Sequence, residues 1–276
     1  MPELPEVETV CRGLAPLIGK TISCVNQRRA NLRIPFPDKL ATRIETATII
    51  SIHRRAKYIL IDLDNNQTLI IHLGMSGRVT LYENQNLPTA GKHDHLILTF
   101  TDNAAIYYHD PRRFGMVELC PTADLDQHKF FNHLGPEPFS NSFNGPYLYQ
   151  TLKNKKSVIK QVLLDQTLVC GLGNIYVCEA LFHAGIRPTR RAHKITKAES
   201  EALVLIIRDV LTKAIEAGGS SLKDFAQANG ELGYFQHRWA VYGKENENCP
   251  HKNCSSQLKR ITQSGRSSFY CPSCQS

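Results

Sequence analysis

Tyr58-Ile59-Leu60-Ile61-Asp62-Leu63-Asp64-Asn65-Asn66-Gln67-Thr68-Leu69-Ile70-Ile71-His72 contains two short apolar runs, 58–63 and 68–72, separated by the turn residues Asp64-Asn65-Asn66. Each run is too short for a stable helix and is rich in β-branched or aromatic residues, so both are expected to be strands. The same texture continues outward. Strands are predicted at 48–52 on one side and at 78–82, 95–100, 104–108 and 116–119 on the other, with Thr101-Asp102-Asn103 as a hairpin turn. No helical pattern separates these runs from about Thr21 to Leu119, which predicts an antiparallel β-sandwich. Three polar interruptions break it: His53-Arg54-Arg55-Ala56-Lys57, His72-Leu73-Gly74-Met75-Ser76-Gly77 and His109-Asp110-Pro111-Arg112-Arg113-Phe114-Gly115.

Ahead of the strands lies Met1-Pro2-Glu3-Leu4-Pro5-Glu6-Val7-Glu8. Pro5 suits the first turn of a helix, Glu6 and Glu8 complement its positive end, and Val7, Val10, Cys11, Leu14, Leu17 and Ile18 recur at helical spacing until Gly19. Met1 is readily removed before a small residue, and the chain would then begin with the secondary amine of Pro2. Such an amine titrates near ~8, far below lysine, and can attack an electrophilic carbon to form an iminium. A helix start disfavours a protonated amine beside it, whereas the neighbouring carboxylate of Glu3, a candidate acid/base, favours one. The plain alternative is a proline-led helix start with no chemistry.

After the strands, residues 131–150 change composition, with Leu134-Gly135-Pro136-Glu137-Pro138 and Ser140-Asn141-Ser142 reading as a linker. Helices are expected around 158–166 and 174–184. A long one follows the capping box Thr196/Glu199, its face carrying Leu203, Ile206, Ile207, Val210 and Leu211. The domain expectation is therefore 1–130, a linker at 131–150, 151–235 and 240–274, an α+β chain overall.

The 276 residues, 42% of them hydrophobic, can supply cores for two domains, and 33 Lys+Arg against 25 Asp+Glu leave a net charge of +8. That excess suits a polyanion, with nucleic acid the leading partner. No 18-residue apolar run and no secretory leader are present, so neither a membrane partner nor secretion is expected and the cytoplasm is the expected compartment. Five cysteines are scattered singly. The other four form Cys249-x4-Cys254-x16-Cys271-x2-Cys274, two close pairs a hairpin's length apart. Four thiolates can close a tetrahedral zinc site, leaving no open position, so its role would be structural. Disulfides or an oxidisable pair are the alternatives.

Weaker signals join these. Gly171-Leu172-Gly173 before Asn174 exposes backbone N–H groups at a helix start, and Lys153, Lys155, Lys156 and Lys160 lie just upstream. A lysine run is ordinarily a solvated face. Met75, Arg112 and Phe114, each in a glycine-flanked loop, are an apolar chain, a guanidinium and a ring that could wedge into a base stack, or could be two core residues and a surface ion pair. His93 in His93-Asp94-His95 reads as a polar or DNA contact rather than a metal ligand.

Taken together, these motifs resemble the formamidopyrimidine-DNA glycosylase family. The likeness runs through Pro2–Glu8, Arg55-Ala56-Lys57-Tyr58, His72–Gly77, Lys92–His95, Asp110–Gly115, Gly171–Tyr176 and Gly265–Cys274. It implies an N-terminal helix and β-sandwich, then a helix–two-turn–helix domain with a C-terminal zinc ribbon holding one structural Zn2+, in a monomer that acts on damaged double-stranded DNA. It implies excision of oxidised purines, 8-oxoguanine and formamidopyrimidines, and β,δ-elimination at the abasic site through a Pro2 iminium. Glu3 is then the acid/base, Lys57 the β-elimination proton donor and Arg266 the δ-elimination residue. His93, Arg112, Lys156, Lys160 and Asn174 become DNA contacts, Met75, Arg112 and Phe114 the intercalating wedge, and Glu6 a base-pocket residue. The stretch from about Gly218 to Gly230 would cover the flipped base. An arginine, with its pKa above ~12, is a poor literal proton donor, so phosphate binding is the safer role for Arg266. Endonuclease VIII-like excision of oxidised pyrimidines, or a zinc-ribbon protein that binds damaged DNA without catalysis, are the competing readings.

Overall fold

The computed structural model describes residues 2–83, 87–220, 228 and 233–276. They form ten strands and six α-helices among the described residues, in two compact units: Met1–Asn132 with Ile215–Gln236, and His133–Ala214 with His237–Ser276. The α+β expectation holds.

The first unit opens with α1 (Leu4–Gly13). Glu3 is its N-cap, and the Glu3 backbone N–H donates to Glu6 Oε2 at 2.8 Å, so an otherwise orphaned helix-start donor is satisfied. Of the expected stripe Val7, Val10, Leu14 and Leu17 are 0% exposed, each stabilising by about 1.5–3 kcal/mol, and Cys11 is buried, whereas Ile18 is 48% exposed. The helix stops earlier than its periodicity suggests. Pro16 offers no N–H for a further turn, so Ala15–Leu17 tighten into a 3-10 turn.

Eight strands make two antiparallel sheets. One has the order β1 (Ile22–Gln27), β6 (Asp94–Phe100), β7 (Ala105–His109), β5 (Arg78–Tyr82); the other β2 (Ile49–Arg55), β3 (Tyr58–Leu63), β4 (Gln67–His72), β8 (Met116–Pro121). A single apolar cluster draws Val25, Leu96, Leu98 and Ile106 from the first and Ile59, Ile61, Leu69, Ile71 and Val117 from the second, the inward alternation of a sandwich. A short α2 (Leu40–Ile44) adds two fully buried side chains. The interruption at 53–57 is shorter than expected: His53, Arg54 and Arg55 belong to β2, and only Ala56 and Lys57 form the turn, Ala56 at φ 52°.

Register decides what sits at one end of this sandwich. Arg55 pairs with Tyr58, Tyr58 with His72, and His72 with Met116. The Lys57 turn, the loop after β4 and the loop before β8 therefore share an end. Helix α1 points there as well: Cys11 Sγ donates to the His53 carbonyl at 3.4 Å, and one turn earlier Glu8 takes Arg54 Nε at 3.1 Å. Moving back along the helix towards Pro2 is thus moving forward along β2 towards Lys57.

In the second unit the expected linker is partly helical. Asn144 caps α3 (Gly145–Leu152) by accepting from the Tyr147 N–H at 2.9 Å, and Pro146 sits in the first turn. The helix expected around 158–166 is only α4 (Ile159–Leu163). Helix α5 is Asn174–His183 and α6 is Lys197–Glu216, opened by the Thr196/Glu199 capping box, with Val204 rather than Ile206 on the buried face. At the C-terminus β9 (Lys259–Gln263) and β10 (Arg266–Tyr270) pair across Ser264-Gly265, a two-residue turn with positive φ at both positions (48° and 73°), where glycine carries no steric penalty.

Candidate functional site

At the shared end of the first unit, Pro2 is buried, Glu3 is 3% and Glu6 2% exposed. Glu6 bonds in two directions: Oε2 takes the Glu3 N–H, and Oε1 takes the Ser220 N–H at 2.8 Å. One carboxylate thereby ties the helix start to the 218–220 turn. The rest of the stretch expected to cover a flipped base, 221–230, lies outside the described residues except for Ala228, as does Met1.

Lys57 is 7% exposed in its turn. His72 is a neighbour that the sequence reading did not single out. Burial, then the Lys57 and Arg33 cations, push its pKa down to about 4. The Gly74 N–H donates to His72 Nδ1 at 3.0 Å, a bond that needs the neutral ring. A histidine ending a strand beside a glycine loop was the available signal.

The structure brings the three wedge candidates onto two adjoining loops. Met75 is 40% and Phe114 44% exposed, and the Arg112 guanidinium lies 4.9 Å from the Phe114 ring centroid. They are not core residues. Beneath them Ser76 and Asp110, both buried, are hydrogen-bonded at 2.6 Å. His93 adjoins the second loop: its carbonyl accepts from the Asp110 N–H at 3.0 Å, and its ring meets those of His95 and His109 edge-on.

In the second unit the four C-terminal cysteines converge, all four Sγ within 4.8 Å of one another. Cys249 and Cys274 are 3.8 Å apart, and Cys254 and Cys271 3.6 Å. A tetrahedron with metal–sulfur bonds of about 2.3 Å has edges of about 3.8 Å, so the donor set fits a closed four-thiolate site. The thiols are unbonded to one another, against the disulfide alternative. Helix α5 forms the ribbon's socket. Cys178 and Phe182 pack with Val241, Leu258, Phe269 and Cys271, and the Glu179 carboxylate takes the N–H groups of Ala240, Val241 and Tyr242 at 2.7, 3.0 and 2.8 Å. A carboxylate in an otherwise apolar helix signals such a buried partnership, and the sequence reading passed over it.

The cations divide. Lys156 is exposed and lines a basic depression of about 460 Å³ with Lys153, Asn154, Arg191 and His193. Arg266 is exposed at the ribbon's turn. Lys160, expected on phosphate, is instead 1% exposed, because its Nζ donates to the Ser267 carbonyl at 2.7 Å and to Ser268 Oγ at 2.6 Å. Asn174 Nδ2 reaches the same Ser267 carbonyl at 3.0 Å, while its buried Oδ1 has no protein partner.

A β-sandwich entered by a proline-led helix stands in this chain with a helical unit bearing a four-cysteine ribbon, and both parts match known families of DNA glycosylase. Residues 1–117 match the family model of the formamidopyrimidine-DNA glycosylase N-terminal domain, and 134–226 match that of its H2TH (helix–two-turn–helix) domain. The formamidopyrimidine-DNA glycosylases of Ruegeria pomeroyi and Jannaschia sp. are each 54% identical over 282 residues, with all of both chains covered. Among solved structures, Lactococcus lactis Fpg in complex with abasic-site DNA superposes with TM-score 0.90 at 36% identity over 99% of each chain. The MutM (Fpg) protein of Thermus thermophilus gives 0.86 at 37%, over 99% of this chain and 98% of that one. The chain belongs to the formamidopyrimidine-DNA glycosylase family. No described helix is long and apolar enough to cross a membrane.

Proposed function

We propose that this protein excises oxidised purines, 8-oxoguanine and formamidopyrimidines, from damaged double-stranded DNA and then cleaves the abasic strand through Pro2. The observation that carries the reading is the buried Pro2–Glu3 start of α1 at the sandwich end that also carries Lys57 and both exposed loops. Full-length likeness to formamidopyrimidine-DNA glycosylases supports the substrate class.

A base inside a duplex is out of reach, so the nucleotide must leave the stack, costing a few kcal/mol. Met75, Arg112 and Phe114 fill the space left behind. The unprotonated Pro2 nitrogen attacks C1′ as the C1′–N bond breaks, and the proton that this nitrogen gives up goes to the departing base. Glu3 delivers a proton to the ring oxygen as the sugar opens, leaving an iminium. That cation accepts the electron pair released when a C2′ proton is lost, and the 3′ phosphate departs. A second elimination releases the 5′ phosphate. Lys57 serves proton transfer in the first elimination, and Arg266 favours departure of phosphate in the second by binding it. Cys249, Cys254, Cys271 and Cys274 hold one Zn2+ whose role is to fold the ribbon. His93, Lys156 and Asn174 contact the DNA, and Glu6 lies at the base pocket.

Borohydride reduction tests the mechanism. Protein lacking Met1 should become covalently trapped on abasic-site DNA, with the adduct mapping to Pro2, and should excise 8-oxoguanine opposite cytosine faster than thymine glycol opposite adenine. An adduct on a lysine would overturn the nucleophile, and a preference for thymine glycol would overturn the substrate.

A further inference from the structure

Both wedge loops hang from one pair of buried polar side chains. Ser76 is 3% and Asp110 0% exposed. Ser76 Oγ donates to Asp110 Oδ1 at 2.6 Å and accepts from the Arg112 backbone N–H at 3.2 Å. Asp110 Oδ2 accepts from the Gly115 N–H at 2.8 Å. The segment Arg112-Arg113-Phe114 is therefore gripped at its two ends, by Ser76 before it and by Asp110 after it. Arg113 between them is held at φ 57°, a left-handed conformation that a non-glycine residue keeps only when its surroundings enforce it. Asp110 is itself fixed by its main chain: its N–H donates to the His93 carbonyl at 3.0 Å, and its carbonyl meets His95 Nε2 at 2.8 Å. On the other loop Gly74, at φ +61°, lies where a Cβ would run into the backbone of Phe114 and Gly115, so the loops touch main chain to main chain.

We propose that Ser76 and Asp110 are positioning residues that lock Met75 on one loop and Arg112 with Phe114 on the other into one pre-formed wedge. This rests on the wedge reading above. A wedge must displace a stacked base, and loops that first had to order themselves would add their own conformational entropy to that barrier. Joining the loops through a desolvated hydrogen bond puts that ordering into the folded protein, before DNA arrives. The exposed side chains make the contact; the buried pair sets where they are.

Stopped-flow fluorescence of 2-aminopurine beside 8-oxoguanine, with single-turnover excision, tests this on the full chain. Ser76→Ala should slow base eversion and excision from the duplex about tenfold, while strand cleavage at a preformed abasic site in a single strand, which needs no unstacking, changes less than about twofold. Asp110→Asn should lie between Ser76→Ala and wild type, because its amide oxygen still accepts from Gly115 and its NH2 can still donate to Ser76 Oγ. Wild-type rates for Ser76→Ala alongside slow Met75→Ala and Phe114→Ala would overturn the clamp and leave the wedge standing. Wild-type rates for all of them would overturn the wedge and the clamp with it. Equal slowing of duplex and single-strand reactions by Ser76→Ala would also reject the clamp, since general destabilisation does not distinguish the substrates.

Discussion

The paired loops of the first unit and the ribbon of the second both carry sequence-named DNA contacts, but they assign the named residues opposite places. In the loops the named residues Met75, Arg112 and Phe114 stand in solvent, and the scaffold, Ser76 and Asp110, went unnamed. At the ribbon two named residues, Lys160 of α4 and Asn174 of α5, are instead held to it by hydrogen bonds. Both reach the carbonyl of Ser267, the residue after Arg266, and Arg266 itself is exposed. Residue type alone does not separate a group that touches the substrate from one that holds it. An ammonium serves as phosphate ligand or as an internal triple donor, and burial decides which.

The sharpest break between the two regions should come from the metal site. Cys271→Ser removes one of four donors and with it most of the binding free energy that folds the ribbon, about 10 kcal/mol or more for a structural zinc. Metal content measured by emission spectroscopy should fall from one per chain to near zero, and affinity for abasic-site DNA should drop by at least about 100-fold. The sandwich unit should keep its strand signal in circular dichroism. Unchanged DNA affinity after metal loss would show that the ribbon is not part of the interface.

Lys160→Met comes next. If Lys160 is scaffold, losing its donors to buried β10 should destabilise the protein by about 2–3 kcal/mol in urea unfolding. If its charge is held mainly for DNA, replacing a buried ammonium with a methionine of similar shape should leave stability unchanged or raise it. The sign of the change distinguishes the two.

His72 gives the loop region a pH signature. Its folded pKa, about 4, lies below the ordinary 6.5. Between those values the unfolded chain binds a proton that the folded chain does not, so stability should fall as pH drops from 6.5 towards 4 and be fully present above that window. The loss should be on the order of 2 kcal/mol, allowing for partial exposure of the ring. His72→Gln should flatten that slope in thermal melts. An unchanged slope would remove the bond to Gly74 as a determinant of the loop.

The contrast also explains what was legible in the sequence. The strands at 58–63 and 78–82 appeared at their true bounds, because each is a short run rich in β-branched or aromatic residues. Arg54 and Arg55 hid the end of β2, since charges there face partners such as Glu8 rather than the core. Strand β1 was not resolved as a separate run: it buries only every third residue and so lacks the alternation that marks a strand. Helix α3 was lost within the linker read from 134–138 and 140–142, although Asn144 with Pro146 two residues on is how a capped helix begins. The convergence of the four cysteines could be read from their spacing alone. The Ser76–Asp110 pair could not, because the two residues are 34 apart in sequence and only strand register brings them together.

The smallest effect is expected at Lys156, and it completes the comparison. Lys156 is exposed, its backbone carbonyl taken by Arg191 Nη1 at 2.9 Å, and its side chain faces a depression whose other lining residues are Lys153, Asn154, Arg191 and His193. Without a buried partner, Lys156→Ala should change unfolding free energy by less than about 0.5 kcal/mol. A phosphate contact releases about one counterion, so the slope of log affinity against log salt should become shallower by about 0.9, with a loss of a few-fold in affinity near physiological salt. The loss should be equal for damaged and undamaged duplexes, because a phosphate contact carries no base information. Lys160→Met should do the reverse, changing stability more than salt slope. A Lys156 variant with an unaltered slope would mean that the ribbon and its socket, not the lysine run before them, supply the second unit's hold on the phosphate backbone.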